Sequence, residues 1–177
     1  EHQVAMPRVP GPQELQDLEV LARQFAGELP PRMQRFLAWE RPIHVRPVDP
    51  RQFLFRDSRV PVKQLWMKTA ESMPPDSILH PALLAYISDY ELIGTVTLPH
   101  GLHATREGLQ MASLEHAMWF HRPVLVDDWL LYSIESPVAA GARAFARASL
   151  FTREGVLVAS TAQEGLLRAT AGGTRQP

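Results

Sequence analysis

Three polar side chains stand among apolar neighbours: Asp89, Ser113 and Gln163. Asp89 follows Ala82-Leu83-Leu84-Ala85-Tyr86-Ile87-Ser88, on the helical face of Ala82, Ala85 and Tyr86. A carboxylate in apolar surroundings is costly unless it is paired or hydrogen-bonded. Such a group is a candidate general base. From spacing alone, a helix-end carboxylate facing water or hydrogen-bonded to a loop is the commoner case. Ser113 and Gln163 interrupt strand-like runs, and Gln163 shares a strand face with Thr161. Mid-strand Ser and Gln are ordinarily solvent-facing. His116 and His121 stand five apart, which puts them on opposite faces of a strand, against joint metal binding. Glu115 and His116 near Ser113 suggest a Ser-His-acid triad, but the G-x-S-x-G elbow is missing. Gly94, Gly101 and Gly108 are too widely spaced for a phosphate loop or dinucleotide fingerprint. Arginine outnumbers lysine 16 to 2. Arg122, Arg143, Arg147, Arg153 and Arg168 fall in or beside the strand region, as phosphate partners or as a solvated face.

The elements that must position these groups can be read from periodicity. Pro7, Pro10 and Pro12 mark an extended arm. Leu15, Leu18, Leu21 and Phe25 predict a helix over 13–28, stopped by Pro30-Pro31. Phe36, Leu37 and Trp39 form a short apolar segment after it. Alternation predicts strands over 43–48 and 62–69. Residues 77–93 read as a helix with Ser77 or Asp76 as N-cap and Pro81 in its first turn. It is apolar on all sides, which predicts a buried helix. Four strands follow, near 109–121, 128–137, 142–152 and 155–168, as a meander with a hairpin turn at Arg153-Glu154-Gly155. The expected architecture is α+β, one helix against one antiparallel sheet. The divisions are an arm over 1–40, a domain over 41–169 and a polar tail over 170–177.

Composition narrows the function classes. The chain has 177 residues, 45% apolar and 21% charged, with a net charge of -1. A chain this long buries roughly 70% of its unfolded surface and needs no staple. No global basic field favours nucleic acid. The absence of cysteine excludes disulfides, cysteine-ligated metals and a cysteine nucleophile in this chain. No run of about eighteen apolar residues predicts a membrane span. The N-terminus has no signal-peptide pattern, so the default setting is cytoplasmic. It also lacks an initiator Met, which points to a piece of a longer protein.

Taken together, several segments resemble the acyl-CoA thioesterase II family. They are Leu84-Ala85-Tyr86-Ile87-Ser88-Asp89, Leu98-Pro99-His100-Gly101 and Ser113 through Pro123 with its Trp119-Phe120-His121-Arg122-Pro123 motif. Trp129 through Pro137 and the Arg153–Gly165 run ending in Gln163-Glu164-Gly165 complete the set. The likeness covers roughly residues 40–168, and His2-Gln3 with Met6-Pro7 resembles the family's interdomain linker. The resemblance implies a hotdog fold, a helix wrapped by a curved antiparallel sheet. The family carries two such copies, and this chain matches the linker and the second.

It further implies hydrolysis of acyl-CoA thioesters by an Asp, a Ser or Thr, and a Gln, which map onto Asp89, Ser113 and Gln163. On that reading Asp89, raised in pKa by partial burial, takes the water's proton while Ser113 and Gln163 hold the water. Tyr86, His116, Met118 and Trp119 would line the substrate, and Arg143 or Arg168 would meet coenzyme A phosphates. No cofactor or metal is implied. A related hotdog hydratase would need a His–Asp pair at the helix, and none is expected there. A non-catalytic subunit that binds acyl-CoA, or completes an assembly with a separate first half, is the alternative. An unpaired sheet edge and an apolar helix face predict pairing with another copy or with a separate N-terminal hotdog chain.

Overall fold

The computed structural model describes residues 1–39, 41–55, 57, 59–75, 78–102 and 108–169. The N-cap proposed at Asp76 or Ser77 and the tail at 170–177 lie outside them.

One six-stranded antiparallel sheet carries the domain. Its strands are β1 (Ile43–Pro47), β2 (Val62–Thr69), β3 (Leu109–Phe120), β4 (Leu130–Ala140), β5 (Arg143–Thr152) and β6 (Leu157–Ala169). Their spatial order is β1-β2-β4-β5-β6-β3. The expected four-strand meander holds only for β4, β5 and β6. β3 instead crosses to the far side and pairs with β6, becoming an edge strand. Helix α4 (Leu79–Ser88) packs on the concave face through Leu84 and Ile87, both fully buried. Burying each side chain contributes about 1.5–3 kcal/mol. A left-handed residue, Glu91 at φ 61°, then breaks the chain direction. A short helix α5 (Leu92–Thr95) follows it.

Helix α4 is not buried all round, contrary to its uniformly apolar sequence. Ala82, Ala85 and Tyr86 are exposed, Tyr86 by 58%. Much of β3 is exposed as well, including Leu114 and Phe120. Side-chain hydrophobicity marks what can be buried, and this chain's own fold leaves the stripe open.

The arm also differs from its expected single helix. Asp17 accepts the Glu19 N–H and starts helix α1 (Leu18–Gln24), so the helix is half the expected length. Pro31 does not merely stop a helix but begins one, α2 (Pro31–Leu37), where its missing N–H costs nothing. Arg41 closes that helix by donating to the Phe36 and Leu37 carbonyls at 2.6 and 3.2 Å. Leu18, Leu21, Met33 and Leu37 join the domain's own core, together with Phe53 of helix α3 (Pro50–Phe55), an element the sequence did not announce. Ahead of them, residues 3–15 cross the convex face of the sheet. Gln3 donates to the Gly155 carbonyl at 2.7 Å and accepts the Leu157 N–H at 3.1 Å. Met6, Val9 and Leu15 cover Trp66, Trp129, Leu131 and Phe151. The arm therefore packs on the sheet along most of its length.

Candidate active site

The C-terminal end of α4 meets strands β3 and β6 on the concave face. Asp89 is the residue that ends α4. Gln163, 1% exposed, rises from β6 beneath it. Its amide nitrogen donates to Asp89 Oδ1 at 2.6 Å and to Ser113 Oγ at 3.0 Å. The carboxylate fixes the amide orientation, because the flipped form would set oxygen against oxygen. The three polar residues singled out in sequence thus meet at one point.

A bulge in β3 makes this possible. Ser113 pairs with Gly165 and Glu115 with Glu164, so Leu114 is an extra residue. The bulge reverses the parity of the strand. Ser113 and His116, three apart, then face the same side, while Glu115 turns away. Gly165 is needed opposite this bulge. A Cβ there would stand 2.0 Å from Ile93 Cδ1 and 3.1 Å from the Ala112 carbonyl oxygen. Ile93 belongs to α5, so this glycine lets the turn after Asp89 approach the sheet.

His116 lies within the cluster, so a His does stand beside Asp89 at the helix end, where none was expected. Its Nδ1 is 3.4 Å from Gln163 Nε2 and 4.0 Å from Asp89 Oδ1. Its Nε2 is 2.9 Å from Ser88 Oγ and 3.3 Å from Thr161 Oγ1. The buried Tyr132 hydroxyl donates to the Ser88 carbonyl and braces the last turn of α4. Burial pushes the Tyr132 hydroxyl well above its ordinary pKa, with the Asp89 charge adding to it, so it stays a neutral donor. A second brace is buried behind the site. Lys63, 1% exposed, reaches Glu91 Oε2 at 2.5 Å and holds the left-handed turn that follows Asp89. Neither brace was foreseen, since nothing in the sequence pairs Lys63 with Glu91.

Other expected residues fall elsewhere. Asp89 is 63% exposed in its side chain, so the burial expected of it is not present in this chain. Tyr86 is exposed one helical turn before Asp89. Met118 packs against the core on the same strand face as His116. Trp119 points to the opposite, convex face, beside Val4, Ala5 and Pro7 of the arm. Arg143 pairs with Glu164 at 3.0 Å, also on the convex side. Arg168 is exposed near the end of β6, at the same parity as Glu164. His121 bonds Ser160 at 2.9 Å, away from His116. A cavity of about 720 Å³ lies by the other end of α4, lined by His80, Phe120, Arg122, Val124 and Trp129, and holds none of the clustered residues. Among the described residues, no group of three or more His, Asp or Glu side chains could hold a metal ion, and no helix is long and apolar enough to cross a membrane.

Comparison with known proteins gives the family. Residues 33–166 match the family model described as acyl-CoA thioesterase. The chain is 37% identical over 172 residues to acyl-CoA thioesterase 2 of Haemophilus influenzae, covering 95% of this chain and 59% of the relative. It is 37% identical over 175 residues to human acyl-coenzyme A thioesterase 8, covering 95% and 54%. The crystal structure of acyl-CoA thioesterase II TesB2 from Mycobacterium marinum superposes with a TM-score of 0.73 at 38% identity, over 98% of this chain and 59% of that one. A hotdog-fold protein of Alicyclobacillus acidocaldarius, 16% identical, superposes over 97% of this chain and 57% of its own with a TM-score of 0.69, a likeness of fold. The chain thus spans between half and three-fifths of the length of the relatives it matches. With a curled antiparallel sheet around a central helix and this match over most of its length, the chain is a hotdog-fold member of the acyl-CoA thioesterase family.

Proposed function

We propose that this chain hydrolyses acyl-CoA thioesters to a fatty acid and free coenzyme A, with the reaction centred on Asp89, Ser113 and Gln163. One observation carries the reading: a single buried amide, Gln163, ties the Asp89 carboxylate and the Ser113 hydroxyl together. With its donors committed to these two groups, Gln163 orients them. Asp89, partly open to solvent, takes a proton from an attacking water. Ser113 accepts from Gln163 through its oxygen, so its own O–H remains to donate to the water or to the carbonyl oxygen as negative charge develops there. The C–S bond then breaks, and the leaving thiolate recovers the proton from Asp89.

Substrate contacts follow from position. Tyr86, Met118 and His116 flank the cluster and are the residues we assign to the acyl side. Arg143 and Arg168 remain candidates for coenzyme A phosphates only if the nucleotide reaches the convex face. The exposed stripe of Ala82, Ala85 and Tyr86, together with edge strand β3, is the surface we assign to a second hotdog layer, from another copy or a separate chain. We assign the chain to the cytoplasm. The test is thiol release from acyl-CoA esters of graded length. Asp89→Asn is expected to lower kcat by at least about 10²-fold while the protein stays folded. A folded wild-type chain that binds acyl-CoA without turnover would instead support the non-catalytic subunit.

A further inference from the structure

The hydrogen atoms around His116 can be assigned by elimination. Ser88 Oγ donates to the Ala85 carbonyl at 2.7 Å, and Thr161 Oγ1 donates to the Ala117 carbonyl at 2.9 Å. A hydroxyl has one hydrogen, and a carbonyl can only accept. Both hydroxyls have therefore spent their hydrogen and can only accept from the ring. His116 Nε2, at 2.9 and 3.3 Å from them, must carry the proton. In the neutral ring Nδ1 then bears the lone pair. That lone pair faces the cluster from 4.0 Å off Asp89 Oδ1. Gln163 does not consume it, because its amide nitrogen is nearer to Asp89 and Ser113, at 2.6 and 3.0 Å, than to Nδ1, at 3.4 Å.

Two acceptors at this separation suit one water. An oxygen about 2.8 Å from each of two atoms 4.0 Å apart sees them at an angle of about 90°, close to the angle between its own two O–H bonds. The geometry points to His116 as a further catalytic residue, the second acceptor that grips the attacking water opposite Asp89. This rests on the thioesterase reading above. Both O–H bonds are held, so the oxygen lone pairs point toward the thioester carbon. The protons balance. The first passes from water to Asp89 and on to the departing coenzyme A sulfur. The second stays on the new carboxylic acid until Nδ1 removes it, releasing the product as carboxylate, and the ring returns that proton to solvent. Ser88 and Thr161 act as positioning residues that fix the tautomer.

Two substitutions separate this role from a structural one. His116→Gln keeps a donor near the Nε2 position for Ser88 and Thr161 but offers nothing at Nδ1. His116→Asn keeps an oxygen acceptor near Nδ1 and gives up the donor. Thiol release by the full chain is expected to show kcat down about 10²-fold for His116→Gln with KM within about threefold, and a smaller loss for His116→Asn. A structural role would reverse that ranking and overturns the inference. So does His116→Gln turnover within about threefold of wild type while Asp89→Asn is inactive, a result that leaves the thioesterase reading intact. Turnover retained by Asp89→Asn, or absent from the folded wild-type chain, overturns the thioesterase reading and the water grip with it. Long-range proton–nitrogen NMR of histidine-labelled wild-type chain reads the tautomer without any turnover. A proton on Nε2 is expected, and a ring protonated on Nδ1 alone overturns the assignment.

Discussion

Gln163→Glu sets a carboxyl where the amide nitrogen now donates to Asp89 Oδ1 over 2.6 Å. Two ionised carboxylates at that separation repel by about 6 kcal/mol at an effective dielectric constant of about 20. Asp89 is 63% exposed, and water at such a site roughly halves the repulsion, to about 3 kcal/mol. That equals roughly two pH units of proton affinity. The new carboxyl therefore holds its proton from an ordinary pKa of about 4.3 up to roughly 6.5 in the folded chain. Its folded-state pKa is raised above the unfolded one. Stability is therefore retained below about pH 4.3 and lost as pH climbs through roughly 6.5. The loss specific to the carboxyl is about 1 kcal/mol near pH 5 and about 3 kcal/mol near pH 7.5. Gln163→Leu deletes the same hydrogen bonds without adding an acid, so its loss stays level over that range. Urea unfolding of wild type and both variants at the two pH values gives the comparison. A Gln163→Glu loss that is equally level would refute the direct contact with Asp89 and the site built on it.

Two further predictions concern the frame. Gly165→Ala forces Ile93 aside and presses on the backbone carbonyl of Ala112, at a cost of about 1–3 kcal/mol. The expected drop in Tm is roughly 2–10 °C, and an unchanged Tm would show that α5 does not pack against β6 as described. Burial, with the neighbouring Glu91 charge adding to it, lifts Tyr90 from 10.0 to about 12. The folded state then holds a proton that the unfolded state releases, so stability is full below about pH 10 and falls between there and about pH 12. Urea unfolding from pH 9 upward tests this, and Tyr90→Phe should flatten the alkaline decline.

The frame was legible where local signals agree with tertiary packing. β1 keeps its alternating burial because Ile43, Val45 and Pro47 all face one core. The β5–β6 turn at Gly155, φ 87°, sits where the sequence marks it. Periodicity failed where distant groups decide. Apolar spacing over 13–28 passes over the cap that Asp17 supplies, and nothing local reveals that Asp17 is also held at 3.1 Å by His44 of β1. Strand order escaped for the same reason. β3 leaves β4 for β6 through pairings separated by up to sixty residues, and a strand's own sequence does not name its partner.

The site shows the same division more sharply. Physical reading of the sequence set Asp89, Ser113 and Gln163 apart as polar intruders, and only the family likeness joined them. The contacts that unite them span 74 and 50 residues, beyond any periodicity. His116 was obscured by a different cause. Strict alternation puts residues three apart on opposite faces, so Ser113 and His116 could not both reach Gln163. The extra residue at Leu114 cancels that rule, and nothing in Ser113-Leu114-Glu115-His116 announces a bulge. Lys63 escaped in the same way. Its strand parity is core-facing, which is tolerable only because Glu91, on another element and in a left-handed conformation, brings a carboxylate to it. The bulge and the left-handed turn are the two local departures from regular structure that flank the cluster. One turns His116 inward and the other ends the segment that presents Asp89, so the irregular backbone creates the very juxtaposition that regular patterns cannot predict.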